Sequence, residues 1–78
     1  MRVTIAQVDE NLFDGEAVSM TVPGSAGEMT VLGEHEPLIT TLKEGNIVVR
    51  VSRDSEPLYF PITAGILEVR RDGATVVL

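Results

Sequence analysis

The phase of the apolar residues limits this chain more than any other feature. They recur at every second position: Val3 and Ile5; Val18, Met20 and Val22; Met29 and Val31; Ile47, Val49 and Val51; Leu58, Phe60 and Ile62; Leu67 and Val69; Ala74, Val76 and Leu78. A period of two puts each set on one face of a pleated strand. Most members are β-branched, which suits a half-buried pleated surface. One segment has helical spacing, Leu38, Ile39 and Leu42 followed by Lys43 and Gly45. Thr40-Thr41 opposes a helix there and the run is short for a stable one, so it reads as extended.

Turn residues separate these runs. Asp14-Gly15, Pro23-Gly24 with Gly27, Glu44-Gly45-Asn46, Arg53-Asp54-Ser55 and Asp72-Gly73 all fall between apolar sets. Glycine permits positive φ, and Asp, Asn and Ser make local backbone bonds that close turns. Arg71-Asp72-Gly73-Ala74 predicts a type I′ hairpin between residues 66–70 and 74–78. Pro61 cannot donate to a ladder, so residues 58–62 should hold an edge or a bulge. The expectation is a single domain over 1–78: all-β, a small sandwich of two packed, mostly antiparallel sheets with about eight to ten short strands.

Seventy-eight residues give one core and a thin margin, because a domain of this size buries only about 60% of its unfolded surface. There are no cysteines, which removes disulfides and thiolate zinc sites and fits a reducing compartment. The opening Met1-Arg2-Val3-Thr4-Ile5-Ala6-Gln7-Val8-Asp9-Glu10 has no apolar core of a secretory signal. No stretch reaches the ~20 apolar residues of a membrane helix, so a soluble protein is expected, with any membrane link indirect.

Charge is unevenly placed. Residues 1–45 carry Asp9, Glu10, Asp14, Glu16, Glu28, Glu34, Glu36 and Glu44 against Arg2 and Lys43, while acids and arginines balance in the remainder; the net −6 lies wholly in the first part. Such a surface repels phosphate backbones and argues against nucleic acid, while a basic protein surface matches it. The same acids would also serve simply as a solvated, solubilising surface.

Chemistry finds little support. Glu34-His35-Glu36 offers three ligand types, but adjacent side chains in an extended loop alternate in direction and do not converge on one ion. Ser19, Ser25, Ser52 and Ser55 lack a nucleophile context, and Gly24-Ser25-Ala26-Gly27 is not followed by the lysine of a phosphate loop. A chain of this length has little room for a pocket of ~300 Å³ or more. No catalytic residue, cofactor, metal or small-molecule substrate is expected.

The stretch from Val18 to Gly45 resembles the N-terminal β-sandwich domain of the F-type ATP synthase epsilon subunit. The resemblance is carried by Pro23-Gly24-Ser25-Ala26-Gly27-Glu28 and then Val31-Leu32-Gly33-Glu34-His35-Glu36-Pro37-Leu38. Phe13-Asp14-Gly15-Glu16 and Ile62-Thr63-Ala64-Gly65-Ile66-Leu67-Glu68-Val69 extend it over nearly the whole chain. Departures from the family pattern are Thr30 for glycine, Gly33-Glu34 for proline-glycine, Glu36 for alanine and Ala64 for glycine.

The resemblance implies a non-catalytic central-stalk component of a proton- or sodium-translocating F-type ATP synthase. It would sit peripherally on the cytoplasmic side of a bacterial inner membrane and dock on the gamma subunit and the c-ring. By position it implies Glu28 for the c-ring and His35 and Thr40 for gamma; Met29 is added to the c-ring side and Glu34 and Glu36 to the gamma side from proximity alone, and Leu38 to the gamma side as an apolar residue. Leu38, Ile39 and Leu42 are candidates both for an apolar anchor on gamma and for the core. Family members continue into a C-terminal helical hairpin that regulates ATP hydrolysis in many of them. Residues 1–78 stop about where the sandwich ends, from natural length or from truncation. The alternative reading is a free-standing ligand- or peptide-binding β module diverged from that family.

Overall fold

A computed structural model describes all 78 residues. Nine strands follow in chain order: β1 Arg2–Ala6, β2 Asn11–Glu16, β3 Ser19–Gly24, β4 Gly27–Leu32, β5 Leu38–Leu42, β6 Gly45–Arg50, β7 Leu58–Ile62, β8 Gly65–Arg70 and β9 Gly73–Val77. There is no helix, and the Leu38–Leu42 segment is extended as its threonines require.

The strands form one hydrogen-bonded path, β2-β1-β9-β8-β5-β3-β6-β7, with β4 added on β3. The path folds into two layers. β2-β1-β9-β8-β5 make one and β4-β3-β6-β7 the other, and the only pairing between them is the single bridge Gly24↔Leu42. All pairs are antiparallel except β1 with β9. The chain passes between layers at Lys43-Glu44, where β5 bends into β6. Gly45 (φ 156°) sits at that corner because a Cβ there would lie 2.8 Å from the Pro23 Cβ.

Inward phases agree with the period-two pattern. Val3, Ile5, Met20, Val22, Val31, Leu42, Ile47, Val49, Ile62, Leu67, Val69, Ala74 and Val76 are buried, with Ala17, in one core. No charged or polar side chain is buried, so the core is held by apolar burial and packing alone. Val18, Val51 and Leu58 leave their sets and are exposed: the first two lie just outside a strand and Leu58 opens β7.

Three turn assignments are corrected. Asp14-Gly15 lies inside β2, a strand the alternation does not announce; Gly15 pairs with Val3, and the Asp14 carboxylate accepts from Arg2 at 2.8 Å and from Thr4 Oγ1 at 3.2 Å. Its polarity serves cross-strand bonds, not a turn. Lys43-Glu44, not Glu44-Gly45-Asn46, makes the next corner. The last hairpin closes through Arg71-Asp72, and neither residue has the positive φ a type I′ turn needs. Gly73 belongs to β9 instead, where a Cβ would stand 2.4 Å from the Arg2 carbonyl oxygen. It is glycine to let β1 come alongside.

Candidate functional site

The two long sides of the sandwich are closed differently. On one, the inward rings of Phe13 (β2) and Phe60 (β7) meet edge to face, with centroids 6.1 Å apart and planes at 66°. That pair seals the side with apolar bulk. On the other, β4 and β5 are joined by the loop 33–37, and the inward positions are Met29, Leu38 and Thr40, all half-buried. Met29 lies across from Val22, Leu38 from Val69 and Thr40 from Leu67. Met29 and Leu38 pack against the core from this margin and keep part of their surface in solvent.

The loop between β4 and β5 carries Glu34, His35 and Glu36. Glu34 is the one non-glycine residue with positive φ, at 63°. This is the left-handed conformation that costs an L-residue with a Cβ roughly 1–2 kcal/mol and glycine almost nothing. The chain therefore holds a carboxylate where backbone geometry alone prefers glycine. His35 is half-buried, and its Nδ1 donates to the Glu36 carbonyl oxygen at 2.8 Å. Glu34 and Glu36 are exposed on either side. No three His, Asp or Glu side chains converge anywhere in the chain.

Glu28 lies at the far end of the same side, exposed on the outer face of β4 and level with Pro23. The acids Glu28, Glu34 and Glu36 thus bracket a margin whose floor is Met29, Leu38 and Thr40. The structure places all seven residues singled out from the sequence on β4, the loop or β5, but in different senses. The glutamates point to solvent. Met29, Leu38 and Thr40 face inward. His35 holds the loop.

Of the three apolar candidates, Leu42 is in the core, Leu38 packs against it, and Ile39 is 73% exposed. Ile39 shares the outer face of the five-strand layer with Ile66 and Val77, which are register neighbours on β8 and β9 and are also exposed. Sequence reasoning passed over this pair and over Thr30 and Leu32 on β4. Their signal was the outward phase of strands read only for their inward one. One shallow, open depression of about 330 Å³ occurs at the β5–β6 corner, lined by Glu44, Gly45, Asn46, Pro61, Ile62 and Thr63. It is roomier than the chain's length suggests. Ile62 is its only large aliphatic side chain.

These features define a small two-layer β-sandwich domain whose distinctive surface is one acidic, loosely closed side. A family model described as the ATP synthase, Delta/Epsilon chain, beta-sandwich domain matches residues 1–78. The chain belongs to that family. It is 36% identical over 77 residues to the ATP synthase epsilon chain of Herminiimonas arsenicoxydans, covering 99% of this chain and 55% of the relative. It is 38% identical over 78 residues to that of Xanthomonas campestris pv. campestris, covering 100% and 55%. The chain spans about half the length of the curated relatives it matches.

The same fold occurs in a chain of the Euglena gracilis mitochondrial ATP synthase assembly of OSCP, F1 and c-ring, with a TM-score of 0.86 at 23% identity over 96% of this chain and 48% of the other. It occurs again in the central stalk and c-ring of the Tetrahymena thermophila mitochondrial ATP synthase, with a TM-score of 0.80 at 17% identity over 99% and 61%.

Proposed function

We propose that this domain is a non-catalytic component of the central stalk of a proton- or sodium-translocating F-type ATP synthase, docking on the gamma subunit and the c-ring so that rotation is coupled to ATP synthesis. It would act peripherally, on the cytoplasmic face of a bacterial inner membrane. The observation that carries the reading is the match of the whole chain, residues 1–78, to the delta/epsilon β-sandwich family. The acidic margin supports it, since Glu28, Glu34 and Glu36 give a basic partner a direction of approach.

Glu28 is assigned toward the c-ring and His35 and Thr40 toward gamma by position, with Met29 added to the first and Glu34, Glu36 and Leu38 to the second as their neighbours. Exposed ion pairs contribute only about 0–1 kcal/mol each, so the glutamates would orient the partner more than hold it. Leu38 and Met29, already half out of the core, would supply apolar area at the contact, where a few residues dominate the energy.

The test is co-elution with gamma and c-ring in gel filtration at low salt, comparing the native chain with Glu28→Lys and His35→Ala. A co-eluting complex weakened by either substitution is the expected result. Separate peaks at low salt refute the docking role. A complex indifferent to both changes refutes the residue assignments.

A further inference from the structure

Four strands end a layer: β5, whose free side is tied to the other layer at the Gly24↔Leu42 bridge and by Ser25 N donating to the Thr41 carbonyl, and β2, β7 and β4, whose outer sides are unpaired. Such an edge invites pairing with another chain, and natural sheets block it with proline, bulges or charge.

In β7 the residues that pair inward with β6 alternate with those facing out. Val18 N donates to the Arg50 carbonyl, which turns Arg50 and Val48 toward β3 and leaves Val49 and Ile47 to bond Leu58 and Phe60. Tyr59 and Pro61 then face out, and Pro61 has no N–H to offer. β2 is broken by a bulge opposite Ile5/Ala6, and its outward positions include Asp14 and Glu16.

β4 has no proline and no bulge, and its only charge in the open phase is Glu28, at one end. Lys43 N donates to the Pro23 carbonyl, so Pro23 faces away from β4 and its cross-strand neighbour Glu28 turns its own N–H and C=O outward. Thr30 and Leu32 share that phase. The register from Ser19↔Leu32 to Gly24↔Gly27 is unbroken, and no backbone bond outside the ladder engages Glu28, Thr30 or Leu32. Three donor–acceptor pairs, at Glu28, Thr30 and Leu32, therefore stand open on an edge without proline or bulge.

We infer that this edge is completed by strand addition: an extended segment of the partner pairs its backbone with Glu28, Thr30 and Leu32 and extends the four-strand layer. This deepens the docking reading and rests on it. The chemistry of the segment follows from what surrounds the edge. Glu28 lies at one end and Glu34 and Glu36 beyond the other, so the segment carries lysine or arginine at its ends. Leu32 on the outer face and Met29 on the inner one call for apolar side chains between them, alternating in direction. A second copy of this chain fits poorly, since pairing β4 with β4 would bring two such acidic margins together.

Amide hydrogen exchange of the chain alone and mixed with gamma and c-ring tests this. In the free chain the amides of Glu28, Thr30 and Leu32 should exchange freely; in the complex they should slow by about tenfold or more, while Tyr59 on the blocked edge stays unchanged. Thr30→Pro removes one outward donor and should weaken the complex about tenfold or more, whereas Tyr59→Pro on the other edge and Thr30→Val should leave it intact. A complex that forms with the three amides still open overturns strand addition and leaves docking standing. Failure of any complex to form at low salt overturns both. Protection that appears in the chain alone and rises with its concentration assigns the edge to a second copy and overturns the inference.

Discussion

Replacing Gly73 with alanine separates two meanings of a glycine. If Gly73 served the turn after Asp72, a side chain would cost backbone strain in that turn. The structure says the constraint is space: a Cβ would sit 2.4 Å from the Arg2 carbonyl oxygen and 3.2 Å from its carbon, while φ is not positive. Ordinary contact begins near 3.4 Å, so β1 must retreat by about 1 Å from β9. The Arg2↔Gly73 pair adjoins Val3↔Ala74, and Val3, Ile5, Ala74 and Val76 are all fully buried, so the retreat opens the core.

Overpacking of this kind costs about 2–3 kcal/mol. A 78-residue domain has a total stability of only about 4–12 kcal/mol, and each kcal/mol moves Tm by roughly 4–8 °C. Urea denaturation should therefore show a lower midpoint at unchanged slope, and Tm should fall by roughly 10–20 °C. Hydrogen exchange should report the loss in β1 before the β8–β9 hairpin. Gly33→Ala is the matched control: nothing lies within 4 Å of its Cβ and its φ is not positive, so the change should be neutral or stabilise by about 0.4–1 kcal/mol. A Gly73→Ala protein within about 0.5 kcal/mol of the native one would refute the reasoning.

Two other substitutions probe the sides of the sandwich. A double-mutant cycle of Phe13→Leu and Phe60→Leu should give a coupling of about 0.5–1.5 kcal/mol in chemical denaturation, and additive losses would mean that the edge-to-face pair seals nothing. Glu34→Gly should raise stability by up to about 1 kcal/mol, because relief of left-handed strain exceeds the added entropy of the unfolded chain; a lower melting temperature would show that the loop is held by its carboxylate.

The inward phase of the strands was legible because burial on one face leaves a period of two, and most residues in those sets are in the core or packed against it. What escaped depended on distance in the sequence. β2 was hidden because Asp14-Gly15 has turn composition, yet its partners are Arg2, Val3 and Thr4 across the sheet. Gly73 announced freedom without saying whether that freedom was needed for φ or for room. The sealing of one side by Phe13 and Phe60 and the openness of the other could not be read, because sheet order is absent from local pattern. The residues of the acidic margin were found through resemblance; that they share one side of the molecule, and that Met29 and Leu38 face inward there, required the fold.

The parallel pairing of β1 with β9 has a consequence for how the molecule is made. β1 is made some seventy residues before its neighbour β9, so β1 and its hairpin partner β2 must wait, with Val3 and Ile5 uncovered, until residues 73–77 have been synthesised. Pairing between strands so far apart in sequence is slow, and the interval is one in which greasy strands are open to capture or aggregation. Nascent chains arrested before β9 emerges should accordingly be substrates for chaperones and proteases rather than half-built domains.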